Sequence, residues 1–365
     1  MYSIAHLTSA HSRYDTRIFL KECRSLITNS FDVSLVVADG KEDEIKNGVK
    51  IYNVTEKLKN RFFRAFRSSF LVYKKAKELD SDIYHFHDPE LIPYGLLLSL
   101  KGKKVVYDIH EDIAQQILIK SWIPVKIRKP ISFLFSKLEG LACKQFYSLV
   151  VPQKEMETQF SKYNNHTLTL YNFPNQLNYD VSFESKNKFQ LIYAGSISEE
   201  RGVFNLLNLM VELSKIDRRY KLVLAGNISS SLMTKIEQHI GWKCVDYRGV
   251  LSTKDLYTLY EESAIGLILF NNVGQYHMSY ALKLFEYMQN GLTVVMPNFG
   301  SWLGFNETNN VGFCVDVEDS KTTSKLISNI DNNELEAFCK NNRSICSDKF
   351  TWESQVYKFD KIYNH

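Results

Sequence analysis

The 365 residues predict an α/β chain made of two doubly wound, Rossmann-like domains in tandem, facing one another across a cleft. Three observations carry that prediction. Short runs of β-branched and apolar residues alternate with helical patterns from end to end, the signature of parallel strands joined by helical crossovers. The alternation breaks between residues 173 and 188, where Pro174 and Asn175, Asn178 and Asn187 stand among few aliphatics, so this stretch reads as a linker. Beyond it the alternation restarts.

In the first half, strands are expected at 3–7, 33–37, 51–54, 83–86, 105–109 and 149–151, with helices at 16–27 and 62–79 among those between them. In the second half they are expected at 191–194, 222–225, 244–248, 265–270 and 293–296, with helices at 203–215, 230–240, 254–262 and 281–290. The expected organisation is a first domain over 1–172, the linker 173–188 and a second domain over 189–348. A terminal segment, 349–365, completes it. In open sheets of this kind ligands sit beyond the carboxyl ends of the strands, so the loops there are the places to look for chemistry.

Composition narrows the class. The net charge is +4, but residues 1–180 hold 26 Lys and Arg against 20 Asp and Glu, which points the first half toward something anionic. Six cysteines make no Cys-x-x-Cys pair and no zinc spacing, and they read as small buried residues in a reducing compartment. The start, Met-Tyr-Ser-Ile-Ala-His, lacks the basic and long apolar regions of a signal peptide, so a cytoplasmic protein is expected.

The loop after the first strand carries His11, Arg13, Asp15 and Arg17 and no glycine, which excludes a Gly-x-Gly-x-x-Gly dinucleotide turn. It reads either as a phosphate holder built on Arg13 and Arg17 or as a helix capped by Asp15 among solvated basic residues. His85-Phe-His-Asp-Pro-Glu follows the fourth expected strand and Asp108-Ile-His-Glu-Asp the fifth. His87, Asp88 and His110 therefore face the end of one sheet, and His110 is suited to hold a hydroxyl or stabilise developing charge. In the second half, Tyr193-Ala-Gly-Ser-Ile brings Gly195 and Ser196 to a strand end, with Arg201 leading into the next helix. Lys283 and Glu286 are three apart and share a helix face, which suits either a surface ion pair or a cation for phosphate beside a carboxylate for a ribose diol.

Taken together, His-x-Arg-x-Asp-x-Arg-Ile-Phe, His-Asp-Pro-Glu-Leu, Tyr-Asp-Ile-His-Glu-Asp, Tyr-Ala-Gly-Ser-Ile-x-x-x-Arg-Gly and Lys-Leu-Phe-Glu-Tyr-Met-x-x-Gly resemble the retaining glycosyltransferases of family 4, of the bacterial surface-polysaccharide type. The resemblance implies a GT-B fold and a last helix, around 350–363, that returns to the first domain. It implies a UDP- or GDP-linked sugar as donor, no cofactor and no bound metal. Arg201 and Lys283 would hold the diphosphate, Glu286 the ribose, and Gly195, Ser196 and Arg248 would border the donor. His110 would contact the donor sugar and, with Arg201 and Lys283, form the catalytic set. His11, Arg13, Asp15, Arg17, His87 and Asp88 fall on the acceptor side. Met278 stands where many relatives carry a second Glu, Ala281 where Pro is frequent, and Ser196 where many have Arg.

Two basic, aromatic segments bear on location. Residues 57–77 hold eight Lys or Arg and no acid, with Phe62, Phe63, Phe66, Phe70 and Tyr73 between them. Residues 120–137 hold five and no acid, with Trp122, Ile127, Ile131, Phe133 and Phe135. They suit peripheral docking on the inner face of a membrane to reach a lipid-linked saccharide, in capsule or O-antigen synthesis, and no nucleic-acid motif accompanies them. Two alternatives are an epimerase acting on the nucleotide sugar alone and a partner subunit that keeps the fold without the chemistry.

Overall fold

The computed structural model describes residues 2–29, 31–54, 61–120, 122–277 and 280–364, without the side chains of 61–66 and 275. Two compact units divide the chain: Met1–Asn172 with Gln355–His365, and Phe173–Ser354.

The first unit is an eight-stranded sheet formed by β1 (Ser3–Leu7), β2 (Asp32–Val37), β3 (Glu44–Lys46), β4 (Val49–Asn53), β5 (Ile83–Phe86), β6 (Lys104–Asp108), β7 (Ser148–Val151) and β8 (Thr167–Thr169). Their order is β3-β4-β2-β1-β5-β6-β7-β8. Every pair is parallel except β3–β4, a hairpin turned at Asn47 and Gly48, both at positive φ. Val33, Leu35, Val36 and Val37 are all buried, as expected of a strand covered on both faces. Tyr84, Phe86, Tyr107, Leu149 and Val151 carry the core on one side of this sheet. The chain leaves β1 toward one side of the sheet and reaches β5 on the other, so the crevice between β1 and β5 is a topological switch point.

The helix expected over 16–27 is a wider turn than the sequence suggested. Ile18–Cys23 is a π-helix, followed by a short α-helix, Arg24–Thr28. Glu22 N–H donates to Arg17 C=O at 2.9 Å, an i to i+5 bond that stacks these two residues on one side. The returning segment ends in the helix Lys358–Tyr363, with Phe359, Ile362 and Tyr363 fully buried in the first unit.

The second unit is a six-stranded, all-parallel sheet: β9 (Asn187–Ala194), β10 (Lys221–Ala225), β11 (Val245–Gly249), β12 (Ser263–Leu267), β13 (Thr293–Pro297) and β14 (Gly312–Val315). The order β11-β10-β9-β12-β13-β14 places its switch point between β9 and β12. The helix Val203–Ile216 follows β9 and Leu282–Gln289 precedes β13. The long helix Asn332–Lys349 starts in a capping box in which Asp331 and Glu334 satisfy each other's amides. All six cysteines are free thiols.

Candidate active site

In the second unit the donor-side residues gather at the switch point. Helix Val203–Ile216 begins at Gly202 (φ +73°), where a Cβ would meet the Leu269 carbonyl at 1.7 Å. That tight turn sets Arg201 beside the end of β9. Arg201 Nε donates to the Tyr276 hydroxyl at 3.1 Å. Lys283 is in the first turn of Leu282–Gln289, and its side chain passes inward. Its ammonium is buried without a hydrogen-bond acceptor among the described residues, 3.5 Å from the centre of the Tyr193 ring and 5.3 Å from that of Phe270. Burial first, and then the Arg201 charge, push its pKa well below that of a free lysine, while Glu286 opposes them. Gly195 (φ +129°) lies directly against these cations: a Cβ there would stand 2.9 Å from Lys283 Nζ and 3.9 Å from an Arg201 nitrogen. Glu286, one turn beyond Lys283, accepts from the Tyr260 hydroxyl at 3.1 Å.

Two expected donor residues are exposed. Arg248 is exposed and pairs with Asp246 at 2.6 Å. Ser196 is exposed, and its carbonyl accepts from the Tyr193 hydroxyl at 2.8 Å. Met278 lies outside the described residues.

In the first unit the expected residues separate into a buried network and an open pocket. Arg17 donates to both Asp108 oxygens at 2.9 and 3.1 Å and to the Leu170 carbonyl, and lies 2.9 Å from Glu22. Arg13 is bidentate to Asp39, at 2.7 and 2.8 Å, and reaches Glu44 at 2.6 Å. Both guanidiniums are thus committed to the protein's own carboxylates, and the phosphate-holding reading of this loop does not fit them. Asp15 is a local cap, accepting from the Arg17 and Ile18 amides at 2.8 and 3.0 Å.

His87 is buried, and it is among the residues that line the cavity of the first unit described below. It stacks with His6 and His85, its Nε2 is 2.9 Å from His6 Nδ1, and its Nδ1 lies 3.3 Å from Asp108. Burial pulls His87 down to about 4, so the ring is neutral. Burial alone would raise Asp108, but Arg17 and His110 hold it well below the usual carboxylate range. Glu22 goes the other way, raised by burial and by the Asp108 charge. Glu22, His85, His87 and Asp108 offer ligand atoms within 4.8 Å of one another. Arg17 already supplies the cation there, paired with both Glu22 and Asp108, so the group fits an ion poorly.

His110 joins this network to the surface. Its Nε2 is 3.2 Å from Asp108 and 3.1 Å from His87 Nδ1, and its side chain keeps 21% exposure. It lines a cavity of about 580 Å³ with His11, Asp88, Glu90, Tyr107 and Glu111. Asp88 is buried, accepts from the Thr8 hydroxyl (2.7 Å) and the Ser9 amide (2.6 Å), and pairs with His11 Nδ1 at 2.8 Å. The motif reading had isolated His87, Asp88 and His110. It missed His6, Glu22, His85, Asp108 and Tyr363, which orient them from below. His85 and Asp108 stood inside the quoted strings, whereas Tyr363, whose hydroxyl lies 2.7 Å from His85 Nδ1, left no local signal.

Known proteins were compared with this chain by family, by sequence and by structure. The model described as Glycosyltransferase Family 4 matches residues 16–173, and that of Glycosyl transferases group 1 matches 176–345. A search of curated proteins returned no match. Among solved structures, the sucrose-phosphate synthase of Thermosynechococcus elongatus superposes with a TM-score of 0.76 at 13% identity, covering 100% of this chain and 98% of that one. Anabaena HepE in complex with UDP and glucose gives 0.70 at 13% identity over 99% of each chain. A glycosyltransferase from Rickettsia africae gives 0.69 at 15% identity, covering 100% and 99%. At such identities the structures establish the fold alone, while the two family models meet at the junction of the two units. This chain is a glycosyltransferase of the GT-B fold, its first half matching the family 4 model and its second half the group 1 model.

Proposed function

We propose that this enzyme moves a sugar from a UDP- or GDP-linked donor to a lipid-linked saccharide, with retention and without a bound metal, in the synthesis of a cell-surface polysaccharide such as capsule or O-antigen. The single observation that carries the donor half is the buried Lys283 ammonium, without a hydrogen-bond acceptor among the described residues, beside Arg201 and the bare backbone of Gly195. A buried cation without an acceptor is costly, and a diphosphate is the ligand that matches it. As the glycosidic bond breaks, the leaving diphosphate gains charge where these two cations stand. Glu286 takes the ribose hydroxyls, and His110 the donor sugar. That HepE was solved with UDP and glucose supports a nucleoside diphosphate in a fold of this kind.

The acceptor half draws support from the cavity in the first unit. Asp88, Glu90, Glu111, His11 and His110 line it, and no Lys or Arg is among its lining residues. Such a wall suits a neutral, hydroxyl-rich saccharide rather than a sugar phosphate. Approach to a membrane is supported by the helix Val125–Cys143, which exposes Phe133, Leu134, Leu138 and Leu141 beside Lys126, Lys129 and Lys137, with Trp122 76% exposed just before it. Among the described residues no helix is long and apolar enough to cross a bilayer. Residues 57–60 of the other basic segment lie outside the described residues.

A thermal-shift screen against UDP-, GDP- and ADP-sugars tests the donor half, because a ligand bound only by the folded state raises its melting point. A shift with a UDP- or GDP-sugar is expected. No shift with any of them would refute this reading.

A further inference from the structure

In the first unit the buried guanidiniums stand among carboxylates: Arg13 is paired with Asp39 and Glu44, and Arg17 with Glu22 and Asp108. In the second unit the two donor-side cations stand among aromatic rings. Lys283 Nζ is 3.5 Å from the centre of the Tyr193 ring and 5.3 Å from that of Phe270. The Arg201 guanidinium carbon is 5.9 Å from Phe270 and 5.8 Å from Tyr276. The rings brace one another, with Phe270 4.8 Å from Tyr276 and 6.5 Å from Tyr193, centre to centre. This contrast has a chemical meaning. A carboxylate stabilises a buried cation, but it takes up the N–H donors and repels any phosphate that approaches. A ring face attracts the same charge through its quadrupole and commits no donor to an anion.

Tyr193 is the nearer ring to Lys283, and its own place is fixed. It is 1% exposed in β9, an interior strand paired to β10 and β12. Its hydroxyl donates to the Ser196 carbonyl at 2.8 Å, which ties down the far end of the ring. Burial raises the pKa of that hydroxyl, so the ring is neutral and its face carries only the quadrupole. Burial of Lys283 and the charge of Arg201 both disfavour the ammonium, and Glu286 favours it. The Tyr193 face adds to the favourable side, on the atom that a Cβ at Gly195 would approach to 2.9 Å.

We propose that Tyr193 is a positioning residue of the donor site: its ring face keeps the Lys283 ammonium in place beside Gly195, with N–H donors left for the diphosphate. This rests on the donor reading above. Tyr193 acts through Lys283 and not on the substrate. Its hydroxyl only anchors the ring, so phenylalanine preserves the role. What the ring supplies is stabilisation of charge in a buried wall, where the attraction is stronger than on an exposed face.

The test is titration calorimetry of the full chain with UDP and with GDP, set beside uridine and guanosine, following the diphosphate that wild type binds. Variants carry phenylalanine, then mono-, di- and trifluorophenylalanine, in place of Tyr193. Fluorination drains the negative face of the ring at nearly constant shape, so the fold is kept across the series. Tyr193→Phe should bind the diphosphate within about threefold of wild type, and the trifluoro variant about tenfold or more below Tyr193→Phe, with the others in order between. The corresponding nucleoside should bind every variant alike. Placed on Lys283→Met, the series should be flat. A flat series on the wild-type lysine, a fall of the same size on Lys283→Met, or a parallel fall for the nucleoside would overturn the role of Tyr193 alone. Binding of neither diphosphate by wild type would overturn the donor reading and this proposal with it.

Discussion

The ammonium of Lys283 sits 3.5 Å from the centre of the Tyr193 ring, held by π-electrons rather than by a hydrogen-bond acceptor, in a helix turn that also faces Gly195. A side chain at 195 would occupy the space between the strand end and this cation. Gly195→Ala places a methyl group 2.9 Å from Nζ at a φ of +129°, a conformation that L-residues resist. The expected outcome is a loss of affinity for the nucleoside diphosphate of about tenfold or more, read by calorimetry. The melting point of the free protein should fall only modestly, consistent with a cost of about 1–2 kcal/mol for one strained residue.

Glu139 is buried on the helix Val125–Cys143, accepts from the Tyr107 hydroxyl at 3.1 Å and is pushed up to about 7, chiefly by burial. Its pKa is higher folded than unfolded. Its contribution is therefore complete below the unfolded value and is lost as pH rises from about 4.5 to 7. Glu139→Gln keeps an acceptor for Tyr107 and removes the charge. The variant should be more stable than wild type at pH 8, by up to about 3 kcal/mol, and should show no such gain at pH 4.5. Urea titrations at the two pH values check this.

Tyr363 closes the histidine network from the far end of the chain, its hydroxyl 2.7 Å from His85 Nδ1. Tyr363→Phe leaves a buried ring nitrogen without a partner and should destabilise the protein by about 1–3 kcal/mol. Truncation before Gln355 removes the fully buried Phe359, Ile362 and Tyr363 together and should cost much more. Chemical denaturation of both variants decides it.

These cases show what was legible. The two-sheet α/β plan and most strands followed from apolar runs, because strands covered on both faces are written as near-continuous hydrophobic sequence. The hairpin at Asn47–Gly48 was not anticipated: its flanking strands are three and five residues long, and β3 is mostly exposed. The π-turn at Ile18–Cys23 was not readable, since α and π turns bury similar residues. At the site, motif strings located Gly195, Arg201, Lys283 and Glu286. The commitment of Arg13 to Asp39 and of Arg17 to Asp108 was invisible, because it depends on partners 26 and 91 residues away. The same distance effect hid Tyr363, which is 278 residues from His85.

The exposed apolar face of Val125–Cys143 predicts salt-sensitive adhesion to anionic vesicles, since Phe133 (66% exposed) and Leu134 lie near Lys129 and Lys137. Phe133→Ser with Leu134→Ser should reduce sedimentation with phosphatidylglycerol vesicles without lowering the melting point. Lys126→Glu with Lys129→Glu should abolish the preference for anionic over neutral vesicles. Equal binding of wild type to both vesicle types would count against a docking role.

Titration calorimetry of Lys283→Met with UDP and with GDP, set beside uridine and guanosine, measures whether this ammonium is the diphosphate cation. The nucleoside diphosphate that wild type binds should lose about 30- to 100-fold in affinity, as for a charge-assisted contact worth about 2–3 kcal/mol. The corresponding nucleoside should bind both proteins alike. Equal affinity of wild type and Lys283→Met for that diphosphate would contradict the assignment of the donor site.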